Sequence, residues 1–286
     1  MAEYSYTLDP AEILRYRMMA ARALDREADL WDVAGITSNA AVVDLGCGPG
    51  IFLPELASRT APAGRLVGVD DSGPAVTAAR QLAGQINQLD LGVRIQIVQA
   101  RAHATGLALG TFDVVFIRNL LLHNGASASA ILEHSHQLLR PGGHLFCVEA
   151  DITWLQFLNA APEERDLELC WVQMAQSMGN DPALGAGSRL ADLIAASRFS
   201  IASSRSRVDP LTAERSPAWT ARNAMIDTGF ASRGDIDRWH RAITTRLQTA
   251  GQLKCRLPLT AVVARRLEQP ANLGHHRGGR PDFQAS

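Results

Sequence analysis

Gly46, Gly48 and Gly50 stand at alternate positions directly after the apolar run Val42-Val43-Asp44-Leu45. Asp70 ends a second apolar run, Leu66-Val67-Gly68-Val69, about 20 residues after the last of these glycines. A glycine turn leaving a buried strand lets backbone come close to a ligand. A helix behind such a turn aims its free N–H groups back at it. A carboxylate at the end of the neighbouring strand can accept both hydroxyls of a ribose. Asp70 could instead cap the next helix, but Asp71 or Ser72 can do that and leave Asp70 for the ligand. Asp44 lies inside the first strand, where a buried charge needs a partner. It can hold the glycine turn by accepting its N–H groups or orient a cationic ligand. The glycines do not follow the dinucleotide pattern: the third comes one residue early and Pro49 interrupts the N–H groups. The lysine and serine that end a nucleotide-binding P-loop are also missing.

Acid–base chemistry has few candidates. His123, in Arg118-Asn119-Leu120-Leu121-Leu122-His123, falls just beyond a strand at the sheet edge where ligands bind in such folds. It reads either as a base or substrate contact, or as a packing histidine at a turn. Glu149 and Asp151 sit two apart at the end of another strand and share a face if the strand continues. They read as proton acceptors or as a grip on a polar substrate, with helix capping near Thr153 as the plain alternative for Asp151. His134 and His136 are expected on a solvated helix face. No His/Asp/Glu set has metal-ligand spacing, and a metal-independent enzyme is expected.

These residues need a scaffold, and the pattern supplies one. Strands over 41–45, 65–70, 93–98, 112–117 and 143–149 alternate with helices over 51–59, 73–88 and 127–139, the signature of a parallel α/β sheet. Arg140-Pro141-Gly142-Gly143 is expected to end a helix and turn into a strand. A helix capped by Asp9 and opened by Pro10 is expected to run to Val33, with Gly35 ending it. Beyond Glu149, helices are expected over 152–179, 187–197 and 212–249, and strands over 199–208 and 256–265, with a turn at Asn180-Asp181-Pro182. The division expected is an N-terminal helical segment (1–35), an α/β core (36–151), a helical cap with the remaining strands on the substrate side (152–269) and a disordered tail (270–286) that includes His275 and His276. The large apolar residues between Trp154 and Met178 and around 219–239 are core by default. Some of them would line a cavity for an apolar or aromatic small molecule.

Composition narrows the class. The chain has 286 residues, is 47% hydrophobic and 20% charged, and carries a formal net charge of −1. That describes a soluble globular protein with no basic field for nucleic acid. Cys47, Cys147, Cys170 and Cys255 form no C-x-x-C pair, so reduced thiols in a cytoplasmic protein are expected. No signal peptide and no apolar run of membrane-spanning length is seen.

Four segments, Val42-Val-Asp-Leu-Gly-Cys-Gly-Pro-Gly50, Val67-Gly-Val-Asp-Asp-Ser72, Thr111-Phe-Asp-Val-Val115 and Leu138-Leu-Arg-Pro-Gly-Gly-His-Leu145, resemble in order and spacing the motifs of class I S-adenosyl-L-methionine-dependent methyltransferases of the small-molecule type. The resemblance implies a Rossmann-like seven-stranded sheet with its last strand antiparallel and helices on both faces, plus an N-terminal helix and an inserted helical cap. It implies S-adenosyl-L-methionine as cofactor and S-adenosyl-L-homocysteine as product. Gly46, Gly48 and Gly50 would approach the methionine part, with Asp44 beneath it, and Cys47 belongs to the same turn. Asp70 would bind the ribose, with Asp71 beside it. Arg118 and Asn119 would face the sulfonium end. The family usually places an acid at the end of the third strand against adenine; Arg101 stands there, so backbone of Ala102, or Gln99 or His103, would substitute. The activity implied is methyl transfer to the O, N or C atom of a small, largely apolar metabolite in specialised metabolism, without nucleic acid or membrane partners and with a homo-oligomer left open. The rival readings are a relative that uses the cofactor for non-methylating chemistry such as cyclisation, and a non-catalytic binding protein.

Overall fold

The computed structural model describes residues 10–154, 156–157, 160–177, 185–211, 217–250 and 255–268. The Asp9 cap, the turn at 180–182 and the tail from Pro270 with His275 and His276 lie outside the described residues.

In chain order the elements are α1 (Pro10–Val33), β1 (Ala41–Leu45), α2 (Leu53–Thr60), β2 (Arg65–Asp70), α3 (Gly73–Asn87), β3 (Arg94–Gln99), β4 (Phe112–Arg118), α4 (Ala128–Leu138), β5 (Leu139–Ala150), β6 (Gln156–Phe157), α5 (Pro162–Ser177), α6 (Leu190–Ala195), β7 (Phe199–Leu211), α7 (Pro217–Thr220), α8 (Arg222–Asp227), α9 (Arg233–Ala250) and β8 (Cys255–Arg266). Strands β1 to β5 are parallel, in the order β3-β2-β1-β4-β5. β8 runs antiparallel beside β5, and β7 lies antiparallel on the far edge of β8. β6 is a two-residue strand that meets β8 at Arg256 and Cys255, prolonging the edge that β5 occupies. The seven long strands therefore form the predicted Rossmann-like sheet with an antiparallel last strand.

The two-residue period of the strands divides the core. Val42, Val114, Phe116 and Phe146 face one way, into a cluster with Ala23, Leu30 and Trp31 of α1, Leu53 and Leu56 of α2, Trp171 of α5 and Trp239 of α9. Val43, Val115, Ile117 and Cys147 face the other way, onto Ile131 and Leu132 of α4 and Leu190 and Ile194 of α6. Strands sandwiched in this way have no polar face, which is why β1 and β4 read as continuous apolar runs. At the centre, Trp31 meets Phe116 edge-on at 5.5 Å between ring centroids, and Phe116 stacks on Phe146 at 5.0 Å.

Three elements differ from the sequence reading. Arg140-Pro141-Gly142-Gly143 lies inside β5, where the pairing with β4 shifts register between Phe112 and Val114. The breaker bends a strand that has already begun. Gly142 takes φ 77°, and a Cβ on Gly143 would stand 2.9 Å from the Asp113 carbonyl oxygen. The helix expected from 152 begins only at Pro162, and Trp154 is exposed. The long helix expected over 212–249 is three helices, α7, α8 and α9, with Gly229 at φ 76° and Ser232 accepting from the Asp235 N–H at the opening of α9.

Candidate active site

All five parallel strands end on one edge of the sheet, and their following loops build the site. The turn after β1 is held from below: the N–H groups of Gly46 and Cys47 both donate to the Val69 carbonyl at 2.8 and 3.0 Å. Gly46, Gly48 and Gly50 have φ of 75°, 54° and 80°, a region that disfavours any side chain. Each glycine has its own surroundings. A Cβ on Gly46 would meet Leu120 Cδ1 at 2.7 Å and one on Gly50 would meet the Ala79 backbone at 3.2 Å, whereas one on Gly48 would project into open space. The turn is thus packed at both ends and open in its middle. Cys47 is buried, and its sulfur would stand 3.0 Å from a Cβ on Gly68. This thiol packs beneath the turn.

Asp70 joins two of these loops. Its Oδ2 accepts from the Gly48 N–H at 2.8 Å and its Oδ1 from the Ser72 N–H at 3.0 Å. The cap of α3 comes from the Ser72 hydroxyl, accepting from the Ala75 N–H. Asp70 is therefore not wholly free for ligand, as the sequence reading had it. The N–H groups of Gly48 and Ser72 aim the carboxylate. Burial pushes its pKa up. Asp71 is exposed, and its carbonyl accepts from Gln99 Nε2 at 3.2 Å. At the end of β3, Arg101 is exposed and Ala102 half-buried.

Asp44 is buried, and its Oδ2 has no hydrogen-bond partner among the described residues. Burial, with the Asp70 carboxylate second, raises its pKa to about 8. Asn119 follows β4 in the left-handed region at φ 51°, and its Oδ1 is likewise buried and unpartnered. Two unmet acceptors, beside a turn open at Gly48, fit a ligand that carries an ammonium group.

Arg118 does something the sequence reading did not anticipate. Its guanidinium grips both oxygens of Glu27 on α1, Nη1 lying 2.9 and 2.7 Å from them. Arg207 of β7 donates to Glu27 Oε1 at 2.5 Å. Glu27 is wholly buried and locks α1 to two strands. Its signal in the sequence is a single acid on the apolar stripe Ala20, Ala23, Leu30, Trp31.

Of the two acids expected as proton acceptors, Glu149 is occupied at both oxygens and Asp151 at one. Glu149 Oε1 accepts from the N–H groups of Leu120 and Leu121 at 2.9 and 2.8 Å, and Oε2 from Leu122 at 3.2 Å. Glu149 thus shapes the loop that carries Asn119 and His123, from a fully buried position. Burial dominates over these bonds and raises its pKa to about 7. Asp151 Oδ1 accepts from the backbone N–H of Thr153 and from its hydroxyl, the capping alternative, while its Oδ2 is buried and has no hydrogen-bond partner among the described residues. His123 is half-buried in a short turn over Leu121–His123 on the ligand edge. The neighbouring histidines are not solvated as expected: His134 Nε2 meets the Thr105 hydroxyl at 2.8 Å, and buried His136 meets the Leu267 carbonyl at 3.0 Å.

Known proteins bear on this geometry. A family profile described as a methyltransferase domain matches residues 42–143. The ubiquinone biosynthesis O-methyltransferase of Pseudomonas aeruginosa (strain UCBPP-PA14) is 31% identical over 154 residues, which cover 49% of this chain and 62% of that protein. The demethylmenaquinone methyltransferase of Lactococcus lactis is 27% identical over 153 residues, covering 52% and 59%. The chain thus spans about three-fifths of the length of these curated relatives. Among solved structures, the BH2331 protein of Bacillus halodurans C-125 superposes with a TM-score of 0.55 at 15% identity, covering 85% of this chain and 100% of that one. The [4+2]-cyclase SpnF superposes at 0.50 and 15% identity, covering 88% and 81%. At such identities these two share the fold.

Proposed function

We propose that this chain, whose residues 42–143 match a methyltransferase domain, is a class I S-adenosyl-L-methionine-dependent methyltransferase that transfers a methyl group to a small, largely apolar metabolite of specialised metabolism. The observation that carries this reading is the convergence, on one sheet edge, of the turn open at Gly48, the aimed Asp70 carboxylate and the unmet acceptors Asp44 Oδ2 and Asn119 Oδ1. In this reading Asp70 holds the ribose, and Asp44 with Asn119 receives the α-ammonium of the methionine part. Gly46, Gly48 and Gly50 let the backbone approach that part, and Asp71, Arg101 and Ala102 border the ribose and adenine.

S-adenosyl-L-methionine supplies an electrophilic methyl group on a sulfonium when bound. The protein's own task is then alignment and exclusion of water. Alignment of reactants is worth roughly 7–11 kcal/mol at its best. Leu120, packed on Gly46, and the Glu149-bound turn behind it fix the floor of the site. Helices α1, α5 and α9 share one apolar cluster with Phe52 and Leu122, from the loops after β1 and β4; in this reading they cover the acceptor. In this reading His123 takes the acceptor proton, a role that typically adds about 10²–10⁴-fold.

The curated relatives match about half of this chain, so the acceptor remains a matter for experiment. Methyl-labelled cofactor and metabolite extract should give a labelled product together with S-adenosyl-L-homocysteine. Cofactor binding without label transfer would favour the non-methylating reading, for which the fold of SpnF is a precedent. Asp70→Ala should weaken cofactor binding about 10–100-fold by calorimetry, the loss expected for a charge-assisted pair of hydrogen bonds. Unchanged affinity would remove the ribose assignment. His123→Ala should lower turnover and leave that affinity alone.

A further inference from the structure

Glu149 is the next-to-last residue of β5, paired across to Thr260 of β8, and it is wholly buried. A buried carboxylate is costly unless its oxygens find donors. The donors it finds are the consecutive backbone N–H groups of Leu120, Leu121 and Leu122, all in the loop that follows β4 on the ligand edge. These N–H groups open the short turn over Leu121–His123, and the opening N–H groups of a turn have no partner inside it. Further on the turn closes on itself. The His123 N–H donates to the Leu120 carbonyl at 3.1 Å and the Asn124 N–H to the Leu121 carbonyl at 3.0 Å. The Asn124 side-chain amide donates to the Leu120 carbonyl at 2.9 Å. Only the open end needs help, and a side chain from the neighbouring strand supplies it.

Asn119 stands at the entrance to this turn with φ 51°. A residue with a side chain keeps that conformation only where its surroundings impose it. Here both flanks are pinned. The Asn119 N–H donates to the Val148 carbonyl at 2.8 Å, and the N–H of the next residue, Leu120, donates to Glu149. Val148 and Glu149 are consecutive in β5, so one strand end sets the peptide planes on either side of Asn119. Leu120 in turn packs on Gly46, which carries the hold across to the glycine turn. We propose that Glu149 is a positioning residue for both ligands of the site: its carboxylate fixes Asn119 and Leu120 beside the cofactor and His123 beside the acceptor, without touching either. The identity of the two ligands rests on the methyltransferase reading; the hold on the loop does not. Glutamine is a poor substitute, because it has one acceptor oxygen and its NH₂ would confront an N–H of the turn. Aspartate keeps both acceptor oxygens and falls short by one methylene.

The test uses the full chain as Glu149→Gln and Glu149→Asp. Leu138→Ala is the control, a buried truncation where β5 begins, at the opposite edge of the sheet. Amide hydrogen exchange of the unliganded protein reads the loop, and calorimetry with S-adenosyl-L-homocysteine reads the cofactor site. In Glu149→Gln the amides of Leu120, Leu121 and Leu122 should exchange about tenfold faster than in the wild type, the effect of one lost hydrogen bond. Those of Val43 and Val115 in the sheet should be unchanged. Affinity for S-adenosyl-L-homocysteine should fall about tenfold, and methyl-label transfer at saturating S-adenosyl-L-methionine should fall with it, whereas His123→Ala loses only the second. Glu149→Asp should recover part of both, and it carries the same comparison with the wild type if Glu149→Gln does not fold. Leu138→Ala should lower the melting temperature and leave affinity and turnover intact. Unchanged exchange in the loop, unchanged affinity, unchanged turnover at saturation, or an equal loss of affinity in Leu138→Ala would each overturn the assignment. Faster loop exchange in Glu149→Gln, with no binding of S-adenosyl-L-homocysteine by the wild type, would instead overturn the methyltransferase reading and leave Glu149 as the residue that holds this loop.

Discussion

Asp44 and Glu149 are both wholly inside the protein, and their neighbours give them opposite tasks. Glu149 meets three backbone N–H groups, so its charge is spent on holding a loop. Asp44 has an oxygen to spare, and burial raises its pKa to about 8 from an ordinary 3.8. Before a cation pairs with it, Asp44 therefore keeps its proton at pH 7. An ammonium group placed against it favours the carboxylate. Binding of S-adenosyl-L-homocysteine at pH 7 should release a proton, and affinity should rise toward pH 8 and level off above it. Calorimetry in buffers of different ionisation enthalpy measures this directly, and Asp44→Asn should abolish the release. Stability of the unliganded protein follows the same carboxyl. Between about pH 4 and 8 the folded state holds a proton that the unfolded chain gives up, so stability falls as pH rises through that window. Asp44→Asn should remove that fall and gain on the wild type as pH increases. Proton release equal in the two proteins would contradict the pairing. The spacing of Glu149 and Asp151 was legible in the sequence, but their partners were not: Leu120 lies 29 residues from Glu149, and only the parallel crossover brings it within reach.

Helix α1 shows how an element can be read correctly and its attachment missed. Its limits match the expected Pro10-to-Val33 span. Its apolar stripe reads as packing, and it does pack, with Trp31 against three phenylalanines. Glu27 interrupts that stripe and bridges Arg118 and Arg207, 91 and 180 residues away. Removing one member of a buried ion cluster leaves charges without partners, and Glu27→Ala should destabilise by about 3–5 kcal/mol in urea titration. The neighbouring exposed pair Asp29–Arg205 makes an internal control, since Asp29→Ala should leave the midpoint nearly unmoved. Equal effects would mean that Glu27 is not a lock. The segment Arg140–Gly143 teaches the converse. Proline and glycine announce a break, yet β4 and β8 on either side of β5 supply enough pairing to carry the strand through it.

Across the whole molecule, one apolar cluster runs from α1 through the sheet to α5, α8 and α9, and no helix among the described residues is long and apolar enough to cross a membrane. A shared core of this kind should unfold as one unit. Tryptophan fluorescence and far-ultraviolet circular dichroism should give coincident transitions, although Trp31, Trp171 and Trp239 belong to helices far apart in the chain. S-adenosyl-L-homocysteine at about 100 times its dissociation constant should add about 2.7 kcal/mol. Two separated transitions would show that the helical cap folds on its own. The sequence alone determined the strands β1 to β5, the glycine turn, Asp70 at the end of β2 and the class of fold, because each depends on local period and backbone freedom. Only the tertiary structure decided that Arg118 serves α1, that Glu149 holds a loop and that Asp44 and Asn119 present unmet oxygens. What a charged side chain does depends on what lies within about 3 Å of it, and here those neighbours come from strands and helices that the chain keeps far apart.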